Sequence, residues 1–514
     1  VLHDTSQSRT IAAENFSGCG AIMADPYRIV IGLEVHVQLL TQTKLFCGCL
    51  NRFGLPPNTA TCPVCLGLPG SLPVMNAMAF RLAVRAALAL NCQIRRQTKW
   101  DRKNYYYPDL PKNYQISQYD LPLSYDGWLD IPLGKDSKHE FRTKRVGILR
   151  AHLEEDAGKN LHDESGKGGD TLVDLNRTGT PLLEIVSRPE MNSPEEGMAY
   201  LDEIRLLLRE IGVSDCEMQE GSLRCDANVN IHVPQPDGTH HATPIVEIKN
   251  LNSIRGVGRA IAYEAQRQFE EYRRRPDEYR LGNFAKETRG WDDLRGVTIG
   301  QRHKEEAADY RYFPEPDLVP VTVSDEFIAE VQAELGELPA AQRLRLQQEY
   351  SLSPYDTQVL TAKGRAMVAY FEAVAKAIGD GKLVANRMSD LIYPALAERK
   401  ETIEQFPFNP ARFIEFLQAA PSNSQDRRDV FTVMLVDGLD VKAAKSRVGI
   451  QEVDEEVLRQ AVAAAITANP KAVADFKKGK EAAKMALVGA VMRVNKGAPS
   501  DLVRRLVDEE LSKV

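Results

Sequence analysis

From Tyr27 to Leu40 the chain reads YRIVIGLEVHVQLL, and its alternate positions Ile29, Ile31, Leu33, Val35, Val37 and Leu39 are all apolar. A period of two is the signature of a strand with one face in a core. The other face carries Glu34, His36 and Gln38. The same division recurs in VGILRAHLE, where Leu149, Ala151 and Leu153 alternate with Arg150, His152 and Glu154, and in LRCDANVNIHV. There Leu223, Cys225, Ala227, Val229, Ile231 and Val233 alternate with Arg224, Asp226, Asn228, Asn230 and His232. LLEIVS and VEIKNLNS set Glu184, Glu247 and Lys249 among β-branched neighbours. Several strands of one sheet are thus expected to present acids, histidine, asparagine and arginine on a shared face.

A merely solvated sheet face accepts any polar residue. Short acids with His, Asn and Arg are instead the mixture that a hydrated divalent metal and a phosphate chain require, because Mg²⁺ takes few carboxylate ligands and keeps water and phosphate oxygens in its other positions. Glu34, Glu154 and Glu184 are the expected ligands, with His36 as a neighbour or direct ligand; Glu155 or Asp156 could replace Glu154, since the strand phase is uncertain at the EEDAGKN turn. No Gly-Lys is followed by Ser or Thr, and no G-x-G-x-x-G opens a helix after a strand. Any ATP therefore binds on an acid-lined sheet and not in a glycine-rich loop.

FCGCLNRFGLPPNTATCPVC brings Cys47, Cys49, Cys62 and Cys65 together as a C-x-C and a C-x-x-C. Two close pairs joined by a Gly/Pro/Asn-rich loop fit a closed, structural thiolate cage for zinc; the alternative is four reduced thiols in a loop. The 514 residues suggest about three domains, and the formal net charge of −7 means that any nucleic-acid surface must be local. No apolar stretch approaches the roughly 20 residues of a bilayer span. Residues 1–24 contain acids and no apolar core of a signal peptide; they are expected to be disordered, with Met23 as the expected start and a cytoplasmic location. Up to about residue 320 the chain is strand-rich, with turn chemistry such as NYYYPDLPKNYQISQYDLPLSYDGW, and beyond it turns Ala/Leu/Lys/Glu-rich and helical.

IGLEVHVQLLTQTKLFCGC, CPVCLGLPGSLPVMN, DRKNYYYPDLPKNYQISQYDLP, LEEDAGK, DLNRTGTPLLEIVSRP, EGSLRCDANVNI, EIKNLNSIRGVGRAIAYE and KEEAADYRYFPEPDL follow one another in that order. Together they resemble the B subunit of the bacterial aspartyl/glutamyl-tRNA amidotransferase, and NPKAVADFKKGKEAAKMALVGAVM resembles that family's tail. The resemblance implies an α+β chain with a glutamine-synthetase-like antiparallel-sheet cradle over residues 25–320. An all-α helical domain over 321–440 and a small helical tail domain over 441–514 follow. It also implies the reaction: ATP and Mg²⁺ phosphorylate the side-chain carboxylate of misacylated Glu-tRNA(Gln) or Asp-tRNA(Asn), and ammonia displaces the phosphate. This chain shows no amidase signature, so the ammonia is expected from a glutaminase A subunit, with a small C subunit completing a heterotrimer.

On this reading Glu34, His36, Glu154 and Glu184 are the catalytic and metal-holding set. Lys103, Lys112 and Arg224 are expected to meet the charge that develops in phosphoryl transfer, and Asp226 and Lys249 are expected to bind ATP, its phosphates or the substrate with them. Arg311, between Tyr310 and Tyr312, suits a substrate's acidic end. Tyr105, Tyr106 and Tyr107 could stack on a base or pack, with packing expected of at least one. Lys471, Lys477, Lys478, Lys480, Lys484, Arg493 and Lys496 stand against only Asp475 and Glu481, a local basic excess suited to tRNA backbone. Arg387 stands where the family usually has Trp. Two rivals remain: a zinc-stapled tRNA-binding adaptor without ATP turnover, and the archaeal-type subunit, whose extra synthetase-like insertion has no room here.

Overall fold

The computed structural model describes residues 26–135, 141–161, 170–284, 286–301, 310–450, 455–477, 481–495 and 500–513; the segment 1–24 lies outside them. The chain forms two compact units, one up to Leu335 and one from Gly336.

The first unit is built on a ten-stranded sheet. The elements that position the site are β1 (Arg28–Gln38), α1 (Ala77–Ala89), β2 (Asp101–Asn104), β3 (Tyr114–Ser117), β4 (Ser124–Lys135), β5 (Phe141–Glu155) and β6 (Pro181–Ser187). They continue with α2 (Pro194–Glu210), β7 (Leu223–Pro234), β8 (Val246–Lys249), α3 (Ile254–Arg274), β9 (Glu287–Asp292) and β10 (Val297–Gly300). Across the sheet the order is β10, β9, β8, β7, β1, β6, β5, β4 and the edge strand Gln93–Ile94, with His240–Ala242 also paired to β7. The sheet is antiparallel except between β8 and β9. That pair departs from a wholly antiparallel cradle because α3 supplies the crossover that a parallel neighbour needs.

The alternation in β1 does what it implies: Ile31, Leu33, Val35 and Val37 are fully buried, each such side chain contributing about 1.5–3 kcal/mol. Ile29, Ile231 and Val233 pack against Ala265, Phe269 and Tyr272 of α3, and Gln268 donates to the Val229 carbonyl at 3.0 Å. Ser193 and Ser253 cap α2 and α3 through their hydroxyls, supplying acceptors for otherwise unpaired N–H groups. On the opposite, polar face a three-stranded sheet of β2, β3 and Phe313–Pro314 lies against β5.

The expected alternation fails at one place. Arg150 pairs with Val186 but Ile148 pairs with Ser187, so Leu149 is an extra residue, a bulge. The phase of β5 flips there: Ile148 is buried, whereas Leu149 is 46 % exposed.

The second unit is all helix among its described residues. One core gathers Phe408, Phe413, Phe416 and Phe431, and a separate one gathers Leu458, Val462, Leu487, Val491, Val503, Leu506 and Val507. Arg387 precedes a single π-turn, Met388–Ile392, and approaches Asp390 at 3.8 Å. Pro394 follows within the next turn; lacking an N–H, it cannot continue the regular hydrogen-bond ladder. No described helix is long and apolar enough to cross a membrane.

Candidate active site

The register of β1 builds the site: His36 lies opposite Glu184 of β6 on one side and Arg224 of β7 on the other. On β5, His152 lies opposite Glu184, and Glu154 follows it on the same face. One ligand atom each from His36, Glu154 and Glu184 therefore falls within 4.8 Å of the others. His36 Nε2 is 3.5 Å from Glu184 Oε2, and His152 Nε2 is 3.6 Å from the same oxygen and 3.9 Å from Glu154 Oε2. Ser117 of β3 donates to Glu154 at 3.2 Å.

Burial pushes the Glu154 carboxyl above the usual range, with Lys103 opposing it. The same burial acts on Glu184, but His152, His36 and Lys103 outweigh it and hold that carboxyl well below the usual range. Burial drives the His152 imidazole down to about 3. His36 goes the other way, because Glu184 more than offsets its burial. The cluster is thus an anion on Glu184 flanked by two imidazoles of opposite tendency, and two carboxylates with one imidazole are a donor set a hard divalent ion accepts.

Of these groups His36, His152 and Glu184 line a pocket of about 350 Å³ with Glu34, Lys103, Asp226 and Lys249. Lys103 sits 5.4 Å from the Tyr310 ring centroid and 5.9 Å from that of Tyr105. Its ammonium forms no ion pair among the described residues, and Glu154 and Glu184 raise its pKa against the effect of burial. Arg224 donates to Asp156 at 2.9 Å. Lys249 pairs with Asp226, and with Glu247 at 3.1 Å.

Two sequence expectations are redrawn by this geometry. Glu34 faces the pocket but stands outside the converging triad; its carboxylate accepts from Asn228 at 2.8 Å, and it lies two residues, about 7 Å, along β1 from His36. Lys112 does not reach the pocket. It is buried in an ion pair with Glu155, because successive residues of β5 point to opposite sides, so Glu154 and Glu155 serve different neighbourhoods. Asp156 is taken by Arg224, Arg177 and Gln38. Arg311 is exposed at a positive φ of 43°, while its neighbours Tyr310 and Tyr312 line the pocket. Tyr105 is packed, its hydroxyl donating to Gln115 at 2.9 Å, and Tyr106 and Tyr107 are exposed. Sequence reasoning does not single out His152, although it precedes Glu154 by one strand period; that spacing is its only signal.

Elsewhere in the unit Cys47, Cys49, Cys62 and Cys65 bring their sulfurs within 4.8 Å of one another, a cluster that could hold a metal. The hydrogen bond from Cys47 is the main cause that lowers the Cys65 thiol to about 5, and the Lys44 ammonium stands 3.7 Å from its sulfur. Cys49 is pushed up to about 11 by burial. In the tail Lys471 and Arg493 are exposed, and Lys484 pairs with Asp508 at 2.6 Å. Lys477 ends the helix Pro470–Lys477, and Lys478, Lys480 and Lys496 lie outside the described residues.

Residues 29–329 match the family model described as the GatB/GatE catalytic domain, and residues 369–511 the one described as the GatB domain. The class is therefore that of an enzyme subunit whose catalytic domain is the sheet-bearing unit. The chain belongs to the GatB family. It is 49 % identical over 492 residues to the B subunit of the aspartyl/glutamyl-tRNA(Asn/Gln) amidotransferase of Rhodopirellula baltica, covering 95 % of this chain and 98 % of that one. The corresponding B subunits of Caldanaerobacter subterraneus and Brevibacillus brevis are 46 % and 44 % identical, again over 95 % of this chain and 100 % and 99 % of theirs.

Proposed function

We propose that this chain is the transamidating subunit of a tRNA-dependent amidotransferase, a ligase that converts misacylated Glu-tRNA(Gln) or Asp-tRNA(Asn) to Gln-tRNA(Gln) or Asn-tRNA(Asn). What carries the reading, in a chain of this family, is the convergence of His36, Glu154 and Glu184, two of which, His36 and Glu184, line one pocket with Lys103. The A subunit releases ammonia from glutamine, and the C subunit completes the heterotrimer.

A carboxylate resists ammonia until one of its oxygens becomes a leaving group. The substrate's carboxylate oxygen attacks the γ-phosphorus of ATP, ADP departs, and ammonia then attacks the acyl carbon with loss of phosphate. The protein's part is positioning and charge neutralisation. His36, Glu154 and Glu184 would hold Mg²⁺, with Glu34 on the pocket wall beside them; when bound, the ion neutralises phosphate oxygens. Lys103 meets the charge developing on the transferring group, and Arg224, neighbouring His36 across the strands, keeps Asp156 and the strand ends in place. Asp226 and Lys249 line the same pocket, and exposed Arg311 stands between Tyr310 and Tyr312, which line it too. The tail takes tRNA backbone through Lys471, Arg493 and the neighbouring lysines Lys477, Lys478, Lys480 and Lys496, with Lys484 already committed to Asp508. All of this is translation chemistry, suited to a cytoplasmic setting.

The test is amide formation on both misacylated tRNAs by the reconstituted complex with ATP, Mg²⁺ and free ammonium. Product that requires ATP is expected; tight tRNA binding without it would make the chain an adaptor. The four-cysteine cage is expected to hold one zinc ion per chain, measurable by elemental analysis. Cys65→Ser should lose the ion and lower the melting midpoint by roughly 5 °C; an unchanged midpoint and metal content would leave four ordinary thiols.

A further inference from the structure

Three tyrosines, Tyr119, Tyr310 and Tyr312, line the reaction pocket and a fourth, Tyr105, packs on Tyr310; the chemistry above employs none of them. Tyr119 and Tyr312 stack, with ring centroids 4.1 Å apart and planes 8° from parallel. Tyr310 meets Tyr312 edge-on at 6.0 Å, and Tyr105 meets Tyr310 edge-on at 5.9 Å. Tyr105, Tyr310 and Tyr312 are at least half covered, but Tyr119, outermost in the stack, is 46 % exposed.

Two backbone irregularities shape this wall. Arg311 adopts a left-handed φ of 43° between Tyr310 and Tyr312, a conformation non-glycine residues seldom take, and both flanking rings line the pocket. The β5 bulge turns Leu149 out of the core, so that an apolar side chain 46 % exposed lines the same cavity as Tyr119. Arg150 then donates to the Tyr119 carbonyl at 3.3 Å, tying the bulged strand to the tyrosine wall. The Leu149 and Tyr119 side chains thus keep apolar surface open at the cavity that also holds His36 and Glu184. Bulges beside reaction sites commonly re-aim a side chain toward a ligand.

We infer that Tyr119 and Leu149 form the seat for an adenine base. A planar heterocycle is the chemistry that an exposed ring face beside an aliphatic side chain recognises, and base–aromatic stacking needs no base-specific hydrogen bond. The inference rests on the function proposed above, which brings two adenines to this pocket: that of ATP and the 3′-terminal adenosine of the aminoacyl-tRNA. The reacting carboxylate is attached to one and the γ-phosphate to the other, so the seat positions whichever substrate it holds.

The experiment uses the reconstituted complex and measures KM for ATP and for Glu-tRNA(Gln) separately, in wild type and in Tyr119→Ala, Tyr119→Phe and Leu149→Ser. Tyr119→Ala should raise one KM about tenfold, the effect of losing one stacked base. Tyr119→Phe, which keeps the ring, should restore it to within about twofold. Leu149→Ser, at a half-exposed position that no core depends on, should move the same KM in the same direction by about threefold, and it carries the test should Tyr119→Ala fail to fold. A shift confined to ATP, with loss of the preference for ATP over base-free ribose triphosphate, assigns the seat to the nucleotide. A shift confined to Glu-tRNA(Gln) assigns it to the terminal adenosine. Amide formation with neither KM moved in Tyr119→Ala or Leu149→Ser overturns the seat alone. A Tyr119→Phe variant as impaired as Tyr119→Ala does the same, since it transfers the role to the hydroxyl. A wild-type complex that makes no ATP-dependent amide overturns the functional reading, and the seat falls with it.

Discussion

Glu184→Gln is expected to lower kcat for ATP-dependent amide formation by at least about a hundredfold, the scale on which loss of one preorganised charged partner is felt. The substitution keeps the shape of the side chain and removes its charge. That charge is what the cluster is organised around, since His36 and His152 both approach one Glu184 oxygen, at 3.5 and 3.6 Å, and the carboxyl is held far below its usual range. Glu34→Gln should cost about tenfold or less, because the Glu34 carboxylate already has a neutral partner in Asn228 and stands outside the triad. Measured with a magnesium titration, the pair of variants decides which acid matters most. A Glu34→Gln defect larger than that of Glu184→Gln would restore the ligand set suggested by strand alternation. Binding of tRNA should be unaltered in both, since Lys471 and Arg493, exposed in the tail where we propose that tRNA binds, are untouched.

The contrast between Glu34 and Glu184 also marks the limit of what the sequence reveals. Periodicity identifies β1, β7 and most of β5 together with their faces, because side-chain alternation follows directly from backbone geometry. It says that Glu34, His36, Glu154 and Glu184 share a face. It does not say which of them meet, for that depends on inter-strand register, and here β1 is paired so that His36, not Glu34, lies opposite Glu184. The bulge at Leu149 is invisible to alternation, which can assign an apolar residue only to the core. The four-cysteine spacing is legible because the sulfurs are brought together by a short loop, whose closure costs little entropy. Lys112 shows the reverse case: a lysine beside a Tyr-rich segment looks like an anion binder, and only the packing of β3 on β5 shows that its partner is the buried carboxylate of Glu155.

That ion pair yields a large expected effect on stability. The Lys112 and Glu155 side chains are 4 % and 3 % exposed, and Glu155 also accepts from the Ile116 N–H at 2.9 Å. The lysine stem lies against Gly67, where an added Cβ would collide with the Lys112 Cγ. It thereby joins the cysteine-bearing segment to the cradle. Lys112→Met keeps most of that stem and deletes the ammonium, leaving an uncompensated carboxylate in the interior. Removing one partner of a buried pair typically destabilises by about 3–5 kcal/mol, because the surviving charge keeps its desolvation cost and loses its attraction. Urea unfolding of the chain should show an unfolding free energy lower by that amount, and so a lower midpoint, in Lys112→Met, with much of it recovered in Lys112→Met/Glu155→Gln, where no charge is stranded. If Lys112 instead held a phosphate, Lys112→Met would leave the midpoint near wild type and raise the KM for ATP. The double variant would then bring no recovery, because a carboxylate with no part in the loss cannot relieve it.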